Sequence, residues 1–303
     1  MFLCLGWVEL GNGRIRTRRN SFVPPLPVVP SSSEALQLYS AVVVTGGSSG
    51  IGKSFINLGA KLKPDLVFCN LSRRPPEGVS VSPSGIRLNH FACDLSCAAD
   101  VDRVATEVGA WLERNVPAGR ILLINNSGFG SFGRFSELNL SRELEMIDLN
   151  TRAVVHLTGR LLPLLRARGG TVMNIASVMA FQPTPYAASY GATKAFLLHW
   201  TLALNEELRG SQVRAIAVCP GTTATDFFRR AGLGAGAIIP ALSMTPDAVV
   251  LAALRALAAG QSQVVPGWKN KIYTVVGAVM PKRLAAWMGA KILARFRLGK
   301  ART

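Results

Sequence analysis

The sequence predicts an α/β fold: one doubly wound domain, with a parallel sheet of about seven strands and helices on both faces. Three observations carry this reading. Short β-branched runs alternate with helical patterns over about 230 of the 303 residues. The runs are apolar almost throughout, as strands are when both of their faces are covered. A glycine-rich turn joins the first run directly to the first helical pattern.

Taken in order, residues 1–38 include "FVPPLPVVPSSS", whose prolines and serines suit an extension without regular structure. The body, 39–268, opens with the strand-like "SAVVVTG" and the helix-like "GKSFINLGAKL". Two strand-like runs follow, "DLVFCNL" and "IRLNHFAC", and then the helical "AADVDRVATEVGAWLERN". "RILLINN" is the next strand. "SRELEMIDLNTRAVVHLTGRLLPLLRAR" reads as one helical pattern, and "GTVMNIAS" as the strand after it. The helical "AASYGATKAFLLHWTLALNEELRG" leads to "VRAIAVCP". "TPDAVVLAALRALAAG" and "SQVVPG" complete the alternation. Residues 269–303 form a basic C-terminal extension that is expected to be helical, most clearly after Pro281. No internal repeat is present, and no second domain is required.

The chain carries 34 Lys and Arg against 17 Asp and Glu, a net +17. From Gln261 to Thr303 there are nine basic residues and no acid, so about half of the excess lies in the last seventh. Such a tail suits an anionic lipid, nucleic acid or cofactor; a solvated helical tail is the plain alternative. The five cysteines are odd in number and lack paired spacing, which fits reduced thiols in the cytoplasm. None of the three histidines has metal-ligand spacing, so no metal is expected. The N-terminus is apolar first and basic second, the reverse of a secretory signal. No uncharged apolar stretch reaches the roughly 18 residues of a spanning helix. Recognition motifs for nucleic acid are lacking, and no such partner is expected.

"VVVTGGSSGIGKS" places glycines between a strand and a helix N-terminus, where backbone N–H groups and the helix dipole favour a pyrophosphate. Gly46, Ser48, Ser49, Gly50, Ile51 and Gly52 are the candidate phosphate-side residues. The spacing is G-x-x-x-G-x-G, which differs from the common dinucleotide fingerprint. At the end of the second strand an acid would bind a ribose 2′-hydroxyl. Arg73 and Arg74 stand there instead and suit a 2′-phosphate, which predicts NADP(H) over NAD(H), the latter remaining possible.

Ser177 ends a strand, Tyr190 follows thirteen residues later, and Lys194 four after that. Carbonyl reduction needs a proton on oxygen as well as a hydride on carbon. A phenol with a reference pKa of about 10 is a poor acid–base group at neutral pH, and an ammonium one turn away lowers that pKa. Ser177 is then placed to hold the carbonyl oxygen, and Lys194 also to hold the ribose. Tyr186, four residues before Tyr190, follows two prolines and is read as lining the substrate mouth or packing. His156, His199, Met173 and Met179 are read as packing or surface residues, and Glu206 and Glu207 as a solvated helix end.

These motifs in this order resemble the short-chain dehydrogenase/reductase superfamily, in its single-domain Rossmann-type form, over about residues 40–268. Its T-G-x-x-x-G-x-G matches Thr45 to Gly52. The resemblance implies further roles. Asp94, followed by Leu95, would contact adenine. Asn125, Asn126, Ser127 and Gly128 stand for the family's N-N-A-G, with Asn126 and Gly128 as cofactor contacts. Asn150 would support a proton relay. Ser177, Tyr190 and Lys194 form the catalytic set. Pro220 and Gly221, with Thr223 and Thr225, would adjoin the nicotinamide. The resemblance thus implies an enzyme interconverting a carbonyl and a secondary alcohol.

Thr222 to Met244 would cover the substrate, and it is apolar and glycine-rich, with Arg229 and Arg230. That composition suggests a mobile lid over a lipophilic substrate. A 3-oxoacyl thioester, a steroid-like ketone and a xenobiotic carbonyl all remain open. A cofactor-sensing protein without turnover is the alternative of another class. The tail resembles extensions on some lipid-directed reductases, and peripheral contact with an anionic membrane is expected. A homo-oligomer is expected as well, and dimerisation through the tail competes with membrane contact.

Overall fold

Apolar runs of this kind become interior strands, and seven are present among the described residues. They are β1 (Tyr39–Thr45), β2 (Val67–Ser72), β3 (Arg87–Ala92), β4 (Arg120–Asn125), β5 (Gly170–Ile175), β6 (Val213–Val218) and β7 (Gln263–Val264). The structure, a computed structural model, describes residues 32, 34–77, 87–116, 118–227, 231 and 243–294. Residues 1–31, Arg229 and Arg230 of the expected lid, and the tail beyond 294 lie outside the described residues.

All seven strands are parallel, in the order β3-β2-β1-β4-β5-β6-β7. The order reverses between β1 and β4, where Val43 pairs with Leu123. At such a switch point the connections leave to opposite faces and open a crevice at the carboxyl ends of the strands. The β1, β4 and β5 loops that carry the sequence motifs therefore meet in one place.

Side chains alternate between two cores. Ala41, Val43, Ile121 and Leu123 pack in a cluster with residues of α3 (Ala98–Asn115) and α5 (Ala153–Arg168). Val42, Val44, Leu122 and Ile124 pack on the other face with α2 (Gly50–Leu62) and α7 (Pro246–Ala258). A short α1 (Glu34–Gln37) also joins this second core through buried Ala35 and Leu36. The packed body thus begins inside the segment that its prolines and serines marked as an extension.

The pattern from 141 to 168, legible as one helix, is interrupted. It forms α4 (Leu140–Ile147), a π-helical turn at Asp148–Arg152, and then α5. A π turn holds one more residue than an α turn and redirects one side chain. Here Asn150 lies in it and is fully buried. In the tail, α8 (Trp268–Val279) precedes α9 (Lys282–Leu293). Between β5 and β6 lie a 3-10 turn, Val178–Phe181, and the long α6 (Ala188–Glu207).

A buried polar chain ties α5, β4, β5 and α6 together. Asn125 Nδ2 donates to Thr158 Oγ1 at 3.1 Å and to Asn174 Oδ1 at 2.8 Å, and Asn174 Nδ2 donates to Thr201 Oγ1 at 2.8 Å. Buried amides of this kind are costly unless paired, so they hold the strand ends in register.

Candidate active site

The glycine turn after β1 is built to bring backbone close to a ligand. Gly46 and Gly50 have φ of +68° and +56°, a region side chains other than glycine rarely adopt. A Cβ on Gly52 would lie 2.5 Å from the Gly46 carbonyl oxygen and 2.6 Å from Asn126 Nδ2. Thr45 Oγ1 accepts from the backbone N–H groups of Asn126 and Ser127, both at 2.9 Å, and Asn126 Nδ2 donates to the Thr45 carbonyl at 2.9 Å. The ends of β1 and β4 are thereby latched together. Gly52→Val should break this latch. We expect loss of NADPH binding and a melting temperature lower by several degrees, as for a severe backbone clash. Cofactor titration and calorimetry check it.

A cleft of about 830 Å³ runs along the carboxyl ends of the strands. Gly46, Ser48, Ser49, Gly50 and Ile51 line it at one wall, and Arg73, Arg74, Asp94 and Leu95 at the ends of β2 and β3. Asn126, Gly128, Ser177, Tyr190, Lys194, Pro220, Gly221, Thr223 and Thr225 complete the set read from the sequence. Gly52 and Asn150 are the two predicted site residues that do not line the cleft. Gly52 is buried at the strand–helix contact, where its missing side chain permits the turn.

Asn150 acts from behind the wall. Its Oδ1 accepts from Phe129 N at 3.2 Å, and its Nδ2 donates to the Phe129 carbonyl at 3.0 Å and to Thr193 Oγ1 at 3.1 Å. Thr193 in turn donates to the Tyr190 carbonyl at 2.8 Å. One buried amide thus joins the π turn, the β4 loop and α6.

On α6, Tyr190, Lys194, Leu197, Leu198 and Thr201 share the buried face. Lys194 Nζ donates to the Ile175 carbonyl at 2.9 Å and lies 5.8 Å from the centre of the Tyr190 ring. Burial pulls its pKa from 10.5 down to about 8, with a small opposing pull from Cys219, so the ammonium form still dominates at neutral pH. Cys219 itself is pushed up to about 12 by burial, which keeps a neutral thiol beside the lysine. Ser177 Oγ accepts from Met179 N at 3.1 Å and caps the 3-10 turn, and its O–H can still donate.

Asp94 at the end of β3 is held firmly. Asp94 Oδ1 accepts from Ser96 N at 3.0 Å and from Ser96 Oγ at 2.7 Å. Arg73 Nη1 lies 3.9 Å from Asp94 Oδ2 and 4.0 Å from Glu145 Oε1 of α4. The guanidinium is two-thirds exposed, so these contacts are weak and the group can turn to a ligand phosphate.

Several cleft residues were not singled out from the sequence. Phe129, Phe132 and Phe227 line it, and the Tyr190 ring packs 6.0 Å from Phe132 and 5.4 Å from Phe227. Met179, read as a packing residue, lines it as well. Phe129 and Phe132 lie in a loop and carry no periodicity, and only nearness to "NNSG" and to Thr225 could have marked the three. Tyr186 lines a separate cavity of about 250 Å³ beside Gly133 and Phe135. Its φ is +63°, and its carbonyl accepts from Gly133 N at 2.9 Å. His156 pairs with Asp102 at the surface at 2.9 Å, and Met173 is a core residue. Among the described residues no cluster of His, Cys, Asp or Glu could hold a metal ion.

A family model described as short chain dehydrogenase matches residues 40–234. The chain belongs to the short-chain dehydrogenase family. As a member it is an oxidoreductase of the class that interconverts carbonyls and alcohols. An uncharacterized oxidoreductase of Staphylococcus epidermidis is 32% identical over 213 residues, 66% of this chain and 87% of that relative. A ketoacyl reductase of Nostoc, HetN, is 26% identical over 265 residues, 82% of this chain and 88% of that one. Among solved structures, a short-chain dehydrogenase from Sphingobium yanoikuyae in complex with NADPH is 29% identical, with a TM-score of 0.64, covering 83% of this chain and 93% of that chain.

Proposed function

We propose that this short-chain dehydrogenase is an NADP(H)-dependent reductase of a lipophilic carbonyl compound, such as a 3-oxoacyl thioester or another hydrophobic ketone. The observation that carries the reading is the common cleft: Ser177, Tyr190 and Lys194 face the same space as the glycine turn. The cleft suits a dinucleotide in size, in its bare glycine backbone and in its arginines. Gly46, Ser48, Ser49, Gly50 and Ile51 would hold the pyrophosphate, Arg73 and Arg74 the 2′-phosphate, and Asp94 and Leu95 the adenine. Asn126, Gly128, Pro220, Gly221, Thr223 and Thr225 would border the nicotinamide half. When bound, NADPH supplies the hydride.

The protein's own groups do the rest. The Ser177 hydroxyl donates to the carbonyl oxygen, and the Tyr190 hydroxyl gives that oxygen its proton. Lys194 stabilises the resulting phenolate through its charge and holds the ribose. Asn150, through Phe129 and Thr193, keeps the relay side of α6 in place. The apolar walls Phe129, Phe132, Leu149, Met179 and Phe227 favour a lipophilic substrate. The name of the Nostoc relative supports a 3-oxoacyl compound, and the NADPH complex of the Sphingobium protein supports the cofactor.

The test is NADPH and NADH oxidation against ketones, aldehydes and 3-oxoacyl thioesters. We expect NADPH to be preferred. Arg73→Ser should raise KM for NADPH about tenfold or more, the worth of a charge-assisted phosphate contact, and leave NADH almost unchanged. A wild-type preference for NADH would overturn the cofactor reading, and no turnover across the panel would overturn the substrate reading.

Self-association is part of the same proposal. Leu140, Leu144, Ile147 and Val155 are exposed apolar side chains on α4 and α5 and would suit contact with a second copy. Buried free Cys69, Cys93 and Cys219 support a reducing, cytoplasmic setting. No helix among the described residues is long and apolar enough to cross a membrane. Contact with an anionic lipid surface through the basic tail completes the reading.

A further inference from the structure

Helices α8 and α9 are amphipathic with the sides reversed. The side of α8 that packs on the body carries Asn270, Thr274 and Gly277. Trp268, Ile272, Val275, Val276 and Val279 share one stripe at helical spacing, and all are exposed, Trp268 by 67% and Val279 by 77%. On α9, Ala285 is buried and Gly289 approaches Pro185, while Leu284, Trp287, Met288 and Ile292 are exposed. Nine large apolar side chains on two adjoining helices therefore face outward. A folded body has no use for such a face unless something covers it.

The charges on these helices select the cover. Lys269, Lys271, Lys282, Arg283 and Lys291 are all exposed, and no acid lies between Gln261 and Thr303. A second copy seated on this face by two-fold symmetry would bring like charges together. An anionic lipid surface neutralises them and accepts the apolar stripe. Lys291 Nζ lies 3.8 Å above the Trp287 ring, and Lys269 Nζ lies 5.8 Å from the Trp268 ring. Lysine beside tryptophan suits the headgroup level, where an apolar body and a charged tip are both satisfied.

The packed sides of the two helices adjoin the cleft wall. Lys282 Nζ donates to the Phe181 carbonyl at 3.2 Å, and Gln182 is hydrogen-bonded to Tyr273. The 3-10 turn that ends at Phe181 contributes Val178 and Met179 to the cleft wall. Asn270 packs directly over Gly221, another wall residue. We propose that α8 and α9 dock the enzyme on an anionic lipid surface, and that the cleft takes its carbonyl substrate from that layer. The second half rests on the reading of the cleft as a carbonyl-reducing site.

Flotation of the full chain with vesicles tests the docking. Binding is expected to vesicles of phosphatidylglycerol and phosphatidylcholine and not to phosphatidylcholine alone, with release at high salt. Replacing Lys269 and Lys271 by Gln should weaken binding about fivefold per charge. The pair Ile272→Ser and Val279→Ser should abolish binding without changing the melting temperature or the turnover of a short water-soluble ketone. No binding to anionic vesicles, or undiminished binding by the serine pair, overturns the docking. So does a vesicle-free dimer that the serine pair splits, because the face then joins two copies. A long-chain ketone dissolved in anionic vesicles should be reduced at least about fivefold faster by the wild type than by the serine pair, and equal rates overturn delivery from the lipid. Turnover of the soluble ketone without vesicle binding sinks the docking and leaves the function standing. Vesicle binding without turnover of any carbonyl does the reverse.

Discussion

Replacing Tyr190 by Phe is expected to lower kcat/KM for carbonyl reduction about a hundred- to ten-thousandfold and to leave the NADPH dissociation constant within about threefold. The separation follows from what the side chain touches. Its ring is wedged between Phe132 and Phe227 and lies beside Lys194, and Phe keeps all of those ring contacts. The variant loses one oxygen, the one proposed to carry the transferred proton. The fold should therefore stay intact, with a melting temperature within a few degrees of wild type. Steady-state kinetics, cofactor fluorescence titration and calorimetry on the same preparation check all three. A variant within tenfold of wild-type turnover would remove Tyr190 from the acid–base role.

Lys194→Met is expected to lose activity on a similar scale while leaving stability at pH 7 unchanged or higher. Folding buries the lysine, and burial penalises its charged form, so its pKa falls from 10.5 to about 8. Below pH 8 the folded protein carries this cost in full, on the order of 3 kcal/mol, offset in part by the hydrogen bond to the Ile175 carbonyl. Between about pH 8 and 10.5 the unfolded chain binds the proton that the folded chain has released, so stability rises with pH there. Methionine removes both the cost and the pH slope. Calorimetry from pH 7 to 10 should show a rising wild-type curve and a flatter one for the variant. A large drop in the melting temperature at pH 7 would show instead that Lys194 is a net structural support. The same proton explains an expected fall in wild-type kcat/KM above about pH 8, where the free enzyme loses its ammonium.

Much of the site was legible in the chain because its chemistry depends on local spacing. Tyr190 and Lys194 are one turn apart on any helix, and Gly46, Gly50 and Gly52 mark a backbone that must approach a ligand. All but two of the predicted site residues line one cleft, since parallel strands place their carboxyl ends on one edge. Asn150 shows where spacing ran out. Its helical context was clear, but the π turn that buries it is stabilised by Phe129 and Thr193, residues 21 and 43 positions away. The aromatic walls were hidden for a related reason. Phe129 and Phe132 come from the loop after β4 and Phe227 from a distant segment, and each is an unremarkable apolar residue until the sheet brings them around Tyr190.

The tail repeats the contrast. Its charge, its lack of acids and its apolar content are properties of composition. Which side of each helix faces water is not, because an amphipathic stripe packs inward by default. In α8 the small and polar residues Asn270, Thr274 and Gly277 fit against Gly221 and Gln182, where little room remains, and so the bulky residues turn outward. The sequence by itself determined the strand order's raw material, the phosphate turn and the Tyr–Lys pair, because periodicity and local backbone geometry are short-range. Only the tertiary structure decided the buried amide network, the aromatic walls and the outward apolar face, because each depends on contacts between residues far apart in the chain.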